Sequence, residues 1–119
     1  MRLIAVTVSA AVFLISLPVQ AMSVTRDGIC YRFRGAVQER REVCRVQEFD
    51  TSTELTWADG TRTNINWVFG LSEQPAIDEV PVTRYGRNPD TLRILEDPID
   101  EDSVLCLQAL ESNVSVCWF

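Results

Sequence analysis

Short segments in which apolar and polar residues alternate run along most of the chain, and turn residues separate them. In one of these segments, residues 29–34, the odd positions Ile29, Tyr31 and Phe33 are apolar, and Arg32 and Arg34 alternate with them. A period of two is typical of a β-strand with one buried face. The segments are rich in Val, Ile, Thr and aromatic residues. This pattern predicts an all-β fold, a small antiparallel sheet or barrel built from hairpins and stapled by two disulfides.

The first hairpin is predicted to follow residues 29–34, because Gly35 begins a turn. A return strand then runs through residues 43–46. We expect Cys30 to lie directly opposite Cys44, which leaves the polar residues 38–39 in solvent at the tip of the hairpin.

The second hairpin has the clearest turn signal, an Asp-Gly pair, because glycine adopts positive φ without steric cost. A two-residue loop and a three-residue loop, residues 58–60, give registers that differ by one residue. In the three-residue register Leu55 lies opposite Thr63, and Leu55, Trp57 and Ile65 share one face. A slip of one residue would split that face, so we predict the three-residue loop.

The last hairpin is predicted over residues 104–119, with Cys106 opposite Cys117. This register brings Leu107 against Val116 on one face and polar side chains together on the other. The alternation is typical of a half-buried antiparallel pair.

The middle of the chain has the weakest pattern. Residues 80–85 are predicted as an edge strand, because Pro81 lacks a ladder donor, and residues 91–95 as a further strand. An acidic loop, residues 96–102, follows. The charge is uneven: residues 67–119 carry 10 acids against 3 arginines.

Residues 1–21 have the pattern of a cleavable secretory signal peptide. Arg2 precedes a mostly apolar stretch of 15 residues, and Pro18 and Ala21 complete the cleavage region. As a helix that stretch spans about 23 Å, short of a hydrocarbon core of roughly 30 Å, which argues against the alternative of an uncleaved anchor. We predict that residues 22–119 form a single disulfide-stapled β domain with no membrane segment after signal cleavage.

Four cysteines follow the predicted signal, and in a small exported domain an even number indicates two disulfides. Three connectivities exist, and the hairpins favour Cys30–Cys44 and Cys106–Cys117. The spacings lack a C-x2–4-C knuckle, which argues against a zinc site. We expect a periplasmic or secreted location.

Composition narrows the function. The chain has no histidine, so it has neither a Ser-His-Asp nor a Cys-His catalytic site. A net charge of −6 argues against nucleic acid as a partner and favours a basic protein or an envelope component. We predict a non-catalytic binding or interaction module without a cofactor. The alternative is a small hydrolase or metal-dependent enzyme that uses carboxylates alone.

The acidic loop, residues 96–102, is the one segment whose composition suits a cation such as Ca²⁺. It lacks the D-x-D-x-D-G spacing and the glycine turn of a calcium loop. We predict a solvated acidic loop rather than a metal site.

The order of these motifs resembles that of small exported bacterial domains with a CY…C…WxDGxxTxI…C…C[WY] layout. The matching residues are Cys30-Tyr31, Cys44, the segment 57–65, Cys106 and Cys117-Trp118. No activity is assigned to those domains. The resemblance therefore implies the fold and the disulfides, and it carries over no catalytic or binding residue.

Overall fold

The computed structural model describes residues 23–70, 74–96 and 101–119. The predicted signal, residues 1–21, lies outside the described residues, as do residues 97–100 of the acidic loop. In the described ranges no helix is long and apolar enough to cross a membrane. The chain forms nine strands there: β1 (Val24–Arg34), β2 (Val37–Glu48), β3 (Ser52–Thr56), β4 (Arg62–Phe69), β5 (Gln74–Ile77), β6 (Val80–Arg87), β7 (Ile94–Leu95), β8 (Val104–Ala109) and β9 (Val114–Trp118).

Eight of these strands close into an antiparallel barrel, which confirms the all-β prediction. The strand order is β5-β4-β3-β2-β1-β9-β8-β6, and β5 also pairs with β6. The short strand β7 adds to the outer end of β6. Closure leaves few open edges along the sheet, which protects a small β domain from edge-to-edge pairing.

The predicted registers of the second and last hairpins are confirmed. Leu55 lies opposite Thr63, and the Trp57 amide donates to the Thr61 carbonyl at 2.8 Å. Gly60 has a φ of 90°, which supplies the left-handed residue that the three-residue loop requires. In the last hairpin Cys106 pairs with Cys117.

The predicted register of the first hairpin is wrong by two residues. Cys30 lies opposite Glu42, and its disulfide reaches Cys44 diagonally across a Cα–Cα distance of 5.7 Å. The cause is the turn: Gly35, with a φ of 62°, closes the hairpin at once instead of leaving a tip at residues 38–39. A bulge then shifts the register between Arg32 and Phe33.

The middle of the chain also differs from the prediction. β6 is not an edge strand, because it pairs with β8 along residues 82–87 and with β5 at Val80 and Pro81. The strand predicted at residues 91–95 is reduced to β7. The residues before β7 form a turn instead, in which the Leu92 amide donates to the Asn88 carbonyl at 2.7 Å.

The barrel interior contains the main hydrophobic core. Its apolar side chains point inward, as the shared face of Leu55, Trp57 and Ile65 predicted, and burial of each contributes about 1.5–3 kcal/mol. The buried members of this cluster are Cys30, Cys44, Val46, Leu55, Trp57, Ile65, Val82, Leu107 and Trp118.

A second cluster lies on the outer face of β1, β8 and β9. Tyr31 and Phe33 point outward and pack with the Cys106–Cys117 disulfide, and Leu92 from the β6–β8 connection packs against them. β8 and β9 are therefore covered on both faces, as is β1 at Cys30 and Tyr31, whereas Arg32 and Arg34 of β1 are exposed. The two disulfides are confirmed, and each belongs to a different cluster.

Candidate binding site at the hairpin end of the barrel

Four hairpin turns meet at one end of the barrel, because antiparallel pairing brings the tips of successive hairpins to the same side. They are residues 35–36, 58–60, 78–79 and 110–113. We call this the hairpin end. Loops that a rigid sheet holds together in this way are where binding surfaces are usually found.

A cavity of about 410 Å³ opens at the hairpin end, and we call it the mouth. Val82 and Leu107 are fully buried at its base, whereas Val80 at the rim is 50% exposed. Most of its walls are aliphatic side chains from β5, β6, β8 and β9, namely Ile77, Val80, Val82, Leu107, Ala109, Val114 and Val116.

The polar lining of the mouth is sparse: Arg32, Thr63, Asp78 and Ser112. Arg32 pairs directly with Val116 in the β1–β9 ladder, which places it on the inward face of the sheet. It is the cation among the residues that line the mouth.

Glu39 is the carboxylate that contacts Arg32, and it also contacts Arg34. The Nε of Arg34 lies 2.8 Å from Glu39, whereas the Nε of Arg32 lies 3.8 Å from it. Exposed pairs of this kind are worth about 0–1 kcal/mol, and the longer contact is beyond hydrogen-bond distance. Glu39 therefore interacts chiefly with Arg34, and most N–H donors of the Arg32 guanidinium remain available for other contacts.

The turn between β5 and β6 forms part of the rim and is held in an unusual conformation. Asp78 and Glu79 both have positive φ, 49° and 71°, where glycine or asparagine is the usual choice. The Asp78 amide donates to the Asn64 carbonyl at 3.0 Å, which ties the turn to β4. Left-handed residues other than glycine cost about 1–2 kcal/mol each, and such strain tends to occur at functional sites.

The other half of the hairpin end is closed by a cluster around Arg40 on β2. Its guanidinium carbon lies 4.7 Å from the centre of the Trp57 ring, within cation–π distance. Arg40 also donates to Glu42 and lies 3.2 Å from an Asp59 carboxylate oxygen. The cluster fastens the loop 58–60 to β2, so this side of the barrel is filled and the mouth is confined to the other.

Hydrogen bonds shift the pKa values in this cluster. The pKa of Glu42 is lowered because Arg40 and the Ala58 amide donate to its carboxylate. The pKa of Asp59 is lowered mainly because the Thr61 hydroxyl and amide donate to it, at 2.6 and 2.9 Å. The pKa of Arg40 is raised by its hydrogen bond to Glu42.

We expect this cluster to stabilise the protein at neutral pH and to lose that effect in acid. A carboxyl whose pKa is lowered by folding binds fewer protons in the folded state, so its contribution is present above its unfolded pKa and disappears as the pH falls through its folded pKa. For Glu42 and Asp59 the contribution is complete above about pH 5, begins to fall near the unfolded pKa values of about 4, and is lost as the pH drops through the lowered folded pKa values. Urea unfolding of wild type and of Glu42→Gln/Asp59→Asn should differ most at pH 7 and converge toward pH 3.

The matched control is Asp90→Asn/Glu111→Gln, which removes two exposed carboxylates outside the cluster. Its unfolding free energy should follow that of wild type at each pH. A gap between wild type and Glu42→Gln/Asp59→Asn that stays constant from pH 7 to pH 3 would contradict the assignment.

A second cavity, of about 590 Å³, lies at the opposite end of the barrel. Arg26, Arg84, Glu48 and Glu101 line it beside Trp118, and Arg26 lies 3.9 Å from Glu48. The two carboxylates that line this second cavity therefore share it with two arginines. Across the described part of the chain, no group of three or more Asp, Glu or Cys residues is arranged to hold a metal ion.

Sequence reasoning missed the mouth. In residues 29–34 the alternation predicts one buried face formed by Ile29, Tyr31 and Phe33. Only the ladder partner of Arg32, Val116, shows that Arg32 lies on the inward face of the barrel, where its side chain is 46% exposed. A usable signal was present in the last hairpin, where Leu107 and Val116 were correctly predicted to share a face. The predicted sites that the structure does bring together are the four cysteines, in their two pairs.

Comparison with known proteins does not assign the site. No protein-family model matches the chain, and neither the curated proteins nor the solved structures give a significant match.

Proposed function

We propose that this protein is an exported, non-catalytic binding module of the periplasm or cell exterior, and that it binds its ligand in the mouth. The observation that carries the proposal is the aliphatic cavity of about 410 Å³ at the hairpin end. Ligand sites are usually concave, mostly apolar and provided with a few polar groups, and the mouth of a β-barrel is a common place for them.

The two disulfides support the location. Both are formed between pairs of buried cysteines, and disulfides persist in oxidising compartments such as the periplasm and the cell exterior.

Of the two expected partner classes, the mouth favours an envelope component over a basic protein. A basic protein calls for a carboxylate-rich contact surface. The lining of the mouth contains one carboxylate, Asp78, and its polar lining also includes Arg32. Aliphatic walls suit the apolar part of an envelope molecule.

The proposal is tested by filling the mouth. Ala109 lies half-buried in its wall, so Ala109→Phe places a ring in the cavity. The uncharged fluorescent probe N-phenyl-1-naphthylamine should bind wild type, and Ala109→Phe should weaken that binding at least about tenfold, because burial of the probe is lost.

The control is Val68→Phe, which adds the same ring to an exposed position of β4 away from the mouth and should bind the probe like wild type. Near-UV circular dichroism establishes that each variant is folded, and Val114→Phe is the second plug if Ala109→Phe does not fold. Equal binding of the probe by wild type and the folded plug variant would refute the proposal.

A further inference from the structure

We propose that the ligand of the mouth is a single aliphatic chain with an anionic head group, the chain packing against the aliphatic walls and the head group held by Arg32. This inference rests on the proposed function and names the chemical class of the ligand.

The walls argue for an aliphatic chain. Seven of the eleven residues that line the mouth are aliphatic, and none is aromatic. Without an aromatic wall, a flat ring system gains apolar burial here but no stacking. Branched side chains on opposite strands, such as Ile77 and Val116, instead offer an irregular apolar surface that a flexible chain can follow.

The size argues for one short chain. Ligand cavities for small molecules range from about 300 to 1,000 Å³, and the mouth, at about 410 Å³, is near the lower limit. Val82 and Leu107 close its base, with exposures of 1% and 0%. The aliphatic chain therefore enters from the hairpin end and extends no further than this base, so its head group lies at the rim.

Arg32 argues for an anionic head group. Its guanidinium presents a planar fork of donors that matches a carboxylate or phosphate. The charged groups around it leave that fork available: Glu39 is held at 2.8 Å by Arg34, and Arg40, which lies opposite Arg32 in the β1–β2 ladder, is engaged by Glu42 and Asp59.

An anionic aliphatic chain can come from a free amphiphile or from a phospholipid in a bilayer, and the rim favours the free molecule. Asp78 and Glu79 occupy the turn at the rim, and Glu111 lies in the turn of the last hairpin. A bilayer would bring many anionic head groups against these carboxylates at once, which is unfavourable, whereas a free amphiphile brings a single head group, for which Arg32 is the counter-charge.

The experiment is displacement of N-phenyl-1-naphthylamine by ten-carbon amphiphiles below their micelle concentrations. Decanoate should displace the probe more effectively than decanol or decyltrimethylammonium. Arg32→Gln should weaken decanoate about tenfold, which corresponds to about 1.4 kcal/mol, and leave decanol unchanged. Arg32→Lys keeps the charge and loses the fork, so its affinity for decanoate should lie between those of wild type and Arg32→Gln.

The matched control is Arg62→Gln, an exposed arginine at the hairpin end that does not line the mouth and should bind decanoate like wild type. Equal decanoate affinity in Arg32→Gln and wild type would overturn the inference, as would binding of decyltrimethylammonium as tight as that of decanoate. In either case a probe that still binds wild type and fails with Ala109→Phe would leave the proposed function standing.

The second arm distinguishes the source of the chain. Vesicles of phosphatidylglycerol should leave the protein in the supernatant after sedimentation. If wild type sedimented with the vesicles and Arg32→Gln did not, the mouth would be a site for a bilayer lipid. The proposal that the ligand is a free amphiphile would then be wrong. Failure of the uncharged probe to distinguish wild type from Ala109→Phe would refute the proposed function itself.

Discussion

Replacing all four cysteines by alanine is expected to leave the chain unfolded at 25 °C, whereas each single-pair variant stays folded. The disulfides join residues 14 and 11 positions apart. In the chain-entropy model each stabilises the folded state by about 3 kcal/mol. Domains of this size are stable by about 5–15 kcal/mol, with small ones near the lower end, so a loss of about 6 kcal/mol removes most or all of that margin.

The two losses should be roughly additive: Cys117 lies opposite Tyr31, the neighbour of Cys30, but the two disulfides lie on opposite faces of the sheet and belong to different clusters. Urea unfolding of Cys30→Ala/Cys44→Ala and of Cys106→Ala/Cys117→Ala measures each loss. The two variants should each lose about 3 kcal/mol with the remaining disulfide intact. A quadruple variant that still unfolds cooperatively, with a loss under about 3 kcal/mol, would contradict this account of the stability.

The parts of the fold that could be predicted are those in which a turn residue and an apolar face agree. At residues 58–60 the left-handed glycine and the shared face of Leu55, Trp57 and Ile65 select the same register, and both are found. In the last hairpin a single register places Cys106 opposite Cys117 and Leu107 opposite Val116, so the disulfide and the apolar face agree.

The first hairpin shows why a disulfide alone does not select a register. Cys30 and Cys44 bond although each lies opposite another residue, because a diagonal neighbour across an antiparallel pair is still within reach of a disulfide. The turn at Gly35 and the bulge after it determine the pairing instead, and the alternating pattern does not specify a bulge.

The mouth could not be predicted because distant segments create it. Local alternation separates two faces of β1 but does not say which face the barrel encloses. That choice depends on β9, which lies opposite Arg32, and on the β6–β8 connection, which covers Phe33. The apolar residues Tyr31 and Phe33 lie on the outer face of β1, whereas Arg32 lies on the inner face at the open end of the barrel with its side chain 46% exposed, so alternation alone does not tell the two faces apart.

The covering of the outer face of β1 also accounts for a buried cation that packs on Phe33. Arg87 is 5% exposed, and its guanidinium carbon lies 3.8 Å from the centre of the Phe33 ring. Arg87 donates to the Leu92 carbonyl at 2.8 Å and to the Tyr85 hydroxyl at 3.1 Å, and that hydroxyl donates to Ser115 at 2.9 Å. These hydrogen bonds and the Phe33 ring stabilise the charge of Arg87 in the described structure.

Arg87→Met is therefore expected to destabilise the protein by about 3 kcal/mol in urea unfolding with both disulfides intact. The methionine keeps an apolar stem against Phe33 but leaves the Leu92 carbonyl, on a half-buried residue, without its donor. Such a loss costs about 1–3 kcal/mol, and a desolvated cation–π contact adds about 2 kcal/mol, of which the methionine recovers part by packing.

Arg87→Lys should lose less than Arg87→Met, because it keeps the charge over the ring but cannot reach both acceptors with one ammonium group. The control is Arg93→Met, which changes an exposed arginine between β6 and β7. Its free energy of unfolding should stay within about 0.5 kcal/mol of that of wild type. If Arg87→Met and Arg93→Met unfolded at the same urea concentration, Arg87 would only fill space between β6 and the outer cluster. Its hydrogen bonds to Leu92 and Tyr85 would then stabilise the folded state no more than water does the unfolded one.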